Sequence, residues 1–175
     1  ALAATLREEL RAAGATPAEP VPIDKLDRLP ALERFMLEIG RCYPAILNLP
    51  RVAARDVDVG GFRIPRGTRV AISVAGVHLR ADLHTDPETF DPERFASPDA
   101  AKLAKPFRYL TFAGGVRHCL GVRLAQVEFK MIVARALTRF DFEPVHTHAV
   151  EHGGFWVARP SGPLPVNVLP RNGAA

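Results

Sequence analysis

Apolar residues recur at three- and four-residue intervals in three stretches of the chain and at two-residue intervals in the stretch between the second and third. Leu2, Leu6 and Leu10 share one face of a helix predicted over residues 1–13, and the proline-rich GATPAEPVPI after it reads as a loop. Behind Pro30, which suits a first helical turn, Leu32, Phe35, Ile39 and Cys42 repeat at 3-4-3 spacing. Tyr43-Pro44 should end this helix, because a residue preceding proline is pushed out of the helical region. The stretch DVDVGGFRIPRGTRVAISV alternates, with breaks at Gly60-Gly61 and Pro65-Arg66-Gly67, and predicts a small antiparallel meander. From His78 to Pro106 periodicity fades into a long ordered loop or short helical turns. Leu120, Leu124, Val127, Met131, Val133, Leu137 and Phe140 then form the apolar stripe of a long helix, with Arg123, Glu128, Lys130, Arg135 and Arg139 mostly off it. The tail GGFWVARPSGPLPVNVLPR predicts a hairpin turning at PSGP. The expected fold is α+β, mainly α.

Composition narrows the partners. At 175 residues and 47% hydrophobic the chain can bury a core and form one domain. The net charge is +4, but arginine is spread along the chain rather than clustered, which argues against nucleic-acid binding. Two cysteines, Cys42 and Cys119, form no CxxC pair and suit a reducing compartment such as the cytoplasm. No apolar run approaches the roughly 20 residues of a membrane-spanning helix. The opening ALAATLREELRAAG has helical spacing but neither a capping residue nor an initiator Met. It reads as a helix entered midway, so a C-terminal fragment is expected and a membrane anchor upstream is left open.

The chemistry concentrates in FAGGVRHCLG, residues 112–121, just before the long helix. Unpaired N–H groups at a helix N-terminus, with Arg117 nearby, favour a thiolate at Cys119. Gly115 and Gly121 permit tight turning and close approach of something flat or bulky. Three uses remain open on the residues alone. Cys119 is a buried inert residue, a nucleophile served by a histidine such as His118, or a single thiolate ligand to a metal in a bulky cofactor.

The pattern F-x-x-G-x-R-x-C-x-G, carried by Phe112, Gly115, Arg117, Cys119 and Gly121, resembles the haem-binding loop of the cytochrome P450 family. Leu124, Ala125 and Glu128 resemble the start of that family's helix behind the haem. Glu38 and Arg41 stand at E-x-x-R spacing, and PERF supplies Arg94, resembling the family's buried ion triad. Arg51 resembles the family's propionate-binding basic residue on the first strand after that helix. His78 resembles the family's H-R-D histidine, but HLRADL departs from the pattern and no role is assigned to it.

The resemblance implies a haem-thiolate monooxygenase with haem b, its iron held axially by Cys119. Phe112, Gly115, Gly121 and Ala125 would shape the cofactor site, and Arg51 and Arg117 would bind its propionates. It would insert one atom of O₂ into a small organic substrate with electrons from a ferredoxin, a flavodoxin or a reductase. Residues 1–175 would form the C-terminal part of a single P450 domain, without the oxygen-activating helix. A peroxygenase or isomerase variant, or a truncated remnant without catalysis, is the alternative. His146, His148, Glu151 and His152 lack a regular metal-ligand spacing and read as a solvated loop. Cys42 and Trp156 read as packing. Arg108, Arg117, Arg123 and Lys130 form either a face for an acidic electron donor or an ordinary solvated surface.

Overall fold

The computed structural model describes residues 1–96, 107–145, 152–154 and 156–171. Helices α1 (Leu2–Ala12), α2 (Ile23–Leu26) and α3 (Pro30–Cys42) pack against the long α5 (Val122–Arg139), with a short α4 (Val74–His78) between them in sequence. Leu6, Leu10, Leu26, Leu29, Leu32 and Ala134 form the centre of the apolar core at this junction. Helix α3 has Pro30 in its first turn and no side chain of its own capping its N-terminus. Glu9 of α1 replaces that cap: its two carboxylate oxygens accept from the N–H groups of Ala31 and Leu32 at 2.7 and 2.9 Å. A carboxylate at the positive end of a helix satisfies two orphan donors at once. None of the described helices is long and apolar enough to cross a membrane.

The β region differs from the expected meander. Strands β2 (Val57–Val59) and β3 (Phe62–Ile64) form a hairpin, as Gly60-Gly61 with positive φ allows. Strand β4 (Arg69–Ser73) does not continue from β3, however; it pairs antiparallel with β1 (Asn48–Val52), and the hairpin is enclosed between them. The tail also departs from expectation. Strand β8 (Val166–Pro170) pairs with β5 (Phe140–Pro144), the strand that continues from α5, so PSGP is not the turn of a simple hairpin. The chain reverses instead between β6 (His152–Gly153) and β7 (Arg159–Pro160), which pair antiparallel. There Gly154 has φ +94° and its missing side chain gives room to the Val157 carbonyl. A bridge from Val157 to Ile46 ties this turn to the start of β1.

Two helices bury charge where the apolar pattern pointed elsewhere. In α5, Leu120 just before it and Leu124 and Met131 within it are exposed, whereas Lys130 is buried. Its ammonium meets Glu33 at 2.5 Å and Asp27 at 3.1 Å, and Asp27 also pairs with Arg123. These hydrogen bonds, from Arg123 first and then Lys130, hold the Asp27 carboxyl down at about 2. In α3, Phe35, Ile39 and Cys42 are only half-buried, while Glu38 and Arg41 are each 0% exposed.

Around Glu38 a closed network forms. Arg41 donates to both of its oxygens in a fork, at 2.7 and 2.8 Å. Arg94, on a 3-10 turn over Pro92–Phe95, donates to Oε1 at 3.0 Å, and the backbone N–H of Asp91 reaches the same oxygen at 2.8 Å. Other N–H groups of the two guanidiniums donate to the carbonyls of His78, Thr85, Pro87 and Thr89. Burial alone would raise the Glu38 carboxyl. The bonds from Arg41, Asp91 and Arg94 outweigh it and hold the group below the usual carboxylate range. Cys42 is therefore not simple core packing: its thiol contacts Glu38 and Arg41, and burial beside the carboxylate pushes it up to about 11.

Removing one partner of a network this deep leaves an uncompensated buried charge, at a cost of about 3–5 kcal/mol. Glu38→Ala and Arg94→Ala should each destabilise on that scale, and the double variant should lose clearly less than their sum. Denaturant melts of the three variants test this; mild and additive losses would contradict the network.

Candidate functional site

The segment just before the cysteine loop is fastened to the C-terminal half of α3. Tyr109 donates its hydroxyl to the Leu37 carbonyl at 3.0 Å and Thr111 to the Gly40 carbonyl at 2.8 Å. Gly40 is what permits the approach: a Cβ there would collide with the Tyr109 hydroxyl and come within 2.9 Å of Thr111 Cγ2. His78, fully buried at the end of α4, supplies a third tie. Its Nδ1 lies 3.1 Å from the Arg41 carbonyl, and its Nε2 accepts from the Leu110 N–H at 2.7 Å. The ring stacks on Tyr109 with centroids 5.3 Å apart. His78 had no role in the sequence reading, since the residues after it departed from the expected motif.

From Leu110 the chain runs into the loop. Ala113 and Gly115 have positive φ, and residues 115–117 form a 3-10 turn. The Cys119 N–H returns to the Phe112 carbonyl at 2.9 Å, closing the loop on itself. Gly121 is the residue before α5, and its carbonyl accepts from the Ala125 N–H at 3.0 Å. A side chain on Gly121 would begin 4.0 Å from Cys119 Sγ, so glycine here leaves the flank of the sulfur open. Cys119 is a free, exposed cysteine, which removes the buried inert reading. Among the described residues no hydrogen bond joins His118 to it, so the nucleophile reading has no base in place.

Beside the loop lies an open cavity of about 990 Å³, lined by Arg51, Val52, Arg69, Val70, Arg117 and Trp156, among others. Arg117 carries the loop to this cavity and Arg51 carries β1 to it. Arg69 was not foreseen. Arg51 faces Val70 in the register and Arg69 faces Val52, so the two guanidiniums leave the ladder from opposite faces. Trp156, expected as hairpin packing, stands 44% exposed in the cavity wall. Among the described residues no carboxylate pairs with Arg51, Arg69 or Arg117. Val116 and Leu120, on either side of the cysteine, are fully exposed.

The comparisons agree over nearly all of the chain. The family model described as Cytochrome P450 matches residues 2–166. The chain belongs to the cytochrome P450 family. It is 32% identical to Cytochrome P450 3A29 of Sus scrofa over 173 residues, covering 96% of this chain and 33% of that protein. It is 44% identical to Thromboxane-A synthase of Sus scrofa over 115 residues, covering 66% of this chain and 21% of that protein. Among solved structures, the one titled "Retinoic acid bound cyanobacterial CYP120A1" superposes with a TM-score of 0.87 at 29% identity, covering 97% of this chain and 39% of that one. The chain spans about a third or less of the length of the curated relatives it matches.

P450 proteins hold haem iron on a cysteine thiolate, and this site fits such a group. The donor is a single accessible sulfur rather than a cluster. The surfaces flanking it are apolar, and Arg51, Arg69 and Arg117, which have no acidic partner among the described residues, line the cavity beside the loop and could pair with carboxylates. No group of metal-binding side chains occurs among the described residues, and His146, His148 and Glu151 lie outside them, as does the side chain of His152. Of the four basic residues considered as a docking face, Lys130 is buried and Arg123 is paired with Asp27.

Two measurements follow from the ties to α3. Alanine in place of glycine within a helix normally gains up to about 1 kcal/mol, but Gly40→Ala should lose about 1–3 kcal/mol by overpacking. Tyr109→Phe should recover part of that loss. A stabilised Gly40→Ala would mean the segment is not seated on α3. The second concerns pH. Burial lowers the His78 imidazole from 6.5 to about 4, and the charges of His84 and Arg41 push the same way. A ring neutral in the fold but charged when unfolded stabilises above pH 6.5, and that contribution declines as pH falls toward 4. At about pH 5, unfolding of His78→Gln should take up about one proton fewer than wild type. His84, also lowered by burial, is present in both. Equal proton uptake would place a charged ring in the fold.

Proposed function

We propose that the enzyme containing this chain is a haem-thiolate monooxygenase. It would insert one atom of O₂ into a small organic substrate, with electrons from a ferredoxin, a flavodoxin or a reductase. The observation that carries this reading is the placement of Cys119. It is a free sulfur exposed at the N-terminal end of α5, with its flank kept open by Gly121, in a chain of the P450 family.

When bound, haem b would supply the iron at which oxygen is activated, and a cysteine thiolate ligand favours O–O cleavage. The chain's own residues do the holding. Cys119 would supply the thiolate sulfur to the iron. Arg51 and Arg117 face the cavity and would meet the propionates with charge-assisted bonds. Phe112 and Gly115 fold the loop, through the Phe112 carbonyl and the positive φ of Gly115. Gly121 and Ala125 keep the start of α5 slim where a flat group would lie. The two free cysteines suit a reducing compartment, so a cytoplasmic setting belongs to the same reading.

The reduced carbonyl complex of the intact enzyme should show the red-shifted Soret band of thiolate ligation, and Cys119→His should abolish it. Arg51→Leu and Arg117→Leu should each speed haem loss while leaving that band in place. With labelled O₂ and an electron donor, one labelled oxygen should enter the product. Product without label from O₂ would overturn the monooxygenase reading, and a band surviving Cys119→His would overturn the ligand.

A further inference from the structure

The loop that presents Cys119 has to be held at a fixed height, yet it is exposed and its own closing bond is a single backbone contact, from the Cys119 N–H to the Phe112 carbonyl. What holds it from outside is on α3 and α4. We propose that His78 is a positioning residue for the cysteine loop, linking the buried Glu38–Arg41–Arg94 network to Leu110 through the two nitrogens of one neutral ring.

The two contacts of the ring fix its form. A carbonyl can only accept, so Nδ1 donates to Arg41; an amide N–H can only donate, so Nε2 accepts from Leu110. The neutral ring with its proton on Nδ1 satisfies both, and no other form does. The link is also reciprocal: Arg41 Nη1 donates back to the His78 carbonyl at 3.1 Å, while its Nε and Nη2 hold Glu38. Arg41 and His78 therefore fix one another in side chain and backbone. Leu110 is buried and lies two residues before Phe112, whose carbonyl receives the Cys119 N–H. Tyr109 and Thr111 flank Leu110 and bond to α3 through their hydroxyls, whereas His78 holds the Leu110 amide itself. A hydroxyl tie can swing with its side chain; a tie on the backbone amide sets where the chain enters the loop.

The anchoring stands on these contacts alone, while its consequence for metal ligation rests on Cys119 being the ligand. The experiment separates the two. In the intact holoenzyme, amide exchange is followed at Leu110 and Cys119, with Leu10 of the distant α1 core as reference. His78→Phe keeps the ring against Tyr109 but has neither nitrogen. His78→Gln retains an acceptor within reach of the Leu110 N–H. In His78→Phe, exchange at Leu110 and Cys119 should accelerate about tenfold relative to Leu10, the scale of one lost buried hydrogen bond. His78→Gln should restore most of that protection. With haem bound, the reduced carbonyl spectrum of His78→Phe should lose part of its thiolate band, beyond any loss in a Leu10→Ala control of matched stability. Uniform acceleration at all three amides in both variants would overturn the proposal, since it would mark His78 as ordinary core. Local acceleration together with a thiolate band that survives Cys119→His would support the anchoring and refute the ligand.

Discussion

The arrangement depends on one carboxylate with no access to water. Glu38 is ion-paired with a residue one turn along its own helix and with Arg94, 56 positions later in the chain. Taking these charges out of water is costly, and the attraction between them repays it only when every donor and acceptor is matched. Here matching requires the carbonyls of residues 78, 85, 87 and 89 and the N–H of Asp91 as well. A stretch with little regular structure thus acquires a single conformation. Its backbone polar groups would otherwise need strands or helices; the two guanidiniums accept that task.

The consequence reaches the cysteine by short steps. Arg41 is held at its head by Glu38 and at its carbonyl by His78, and the same ring holds Leu110. Glycine at position 40 lets the following segment lie directly on the helix, and any larger residue would lift it. The loop is then free to have strained and exposed turns of its own, because its entry is set by packed structure and its exit by the first turn of α5. Ala113 and Gly115, with positive φ, sit between these two fixed ends.

Much of this was legible in the residues, and what was not has a common cause. The ends of α3 follow from Pro30 and Pro44, and the chemistry of the cysteine loop from residues within ten positions of each other, since both are local. The pairing of β4 with β1 rather than β3 was not legible: alternation marks a strand but carries no information about its partner. The same holds for the pairing of β8 with β5. Lys130 and His78 were missed for a second reason. Hydrophobic patterning assigns charged and polar residues to the surface, and it fails wherever such a residue finds partners from distant segments, as Lys130 does in Asp27 and Glu33. The signal for His78 was its place in a weak motif. Only its two contacts, 37 and 32 positions away in the chain, disclose what the ring does.

The distribution of polarity is inverted around the site, and the inversion is informative. Ion pairs fill the ground beneath the cysteine loop, while Val116, Leu120 and Leu124 face outward around the sulfur. An apolar residue scattered singly on a surface needs no explanation. Here two of them flank a free thiol, the third lies on the first turns of the adjoining helix, and guanidiniums without a carboxylate partner among the described residues line the cavity alongside. Water alone is a poor partner for such a surface, because it gains nothing from the apolar faces. A flat group with apolar faces, an anionic edge and an electrophilic centre would satisfy all three features together. The entry of the loop is tied by directional bonds, which resist displacement where apolar packing alone would allow the cysteine and its flanking side chains to turn inward.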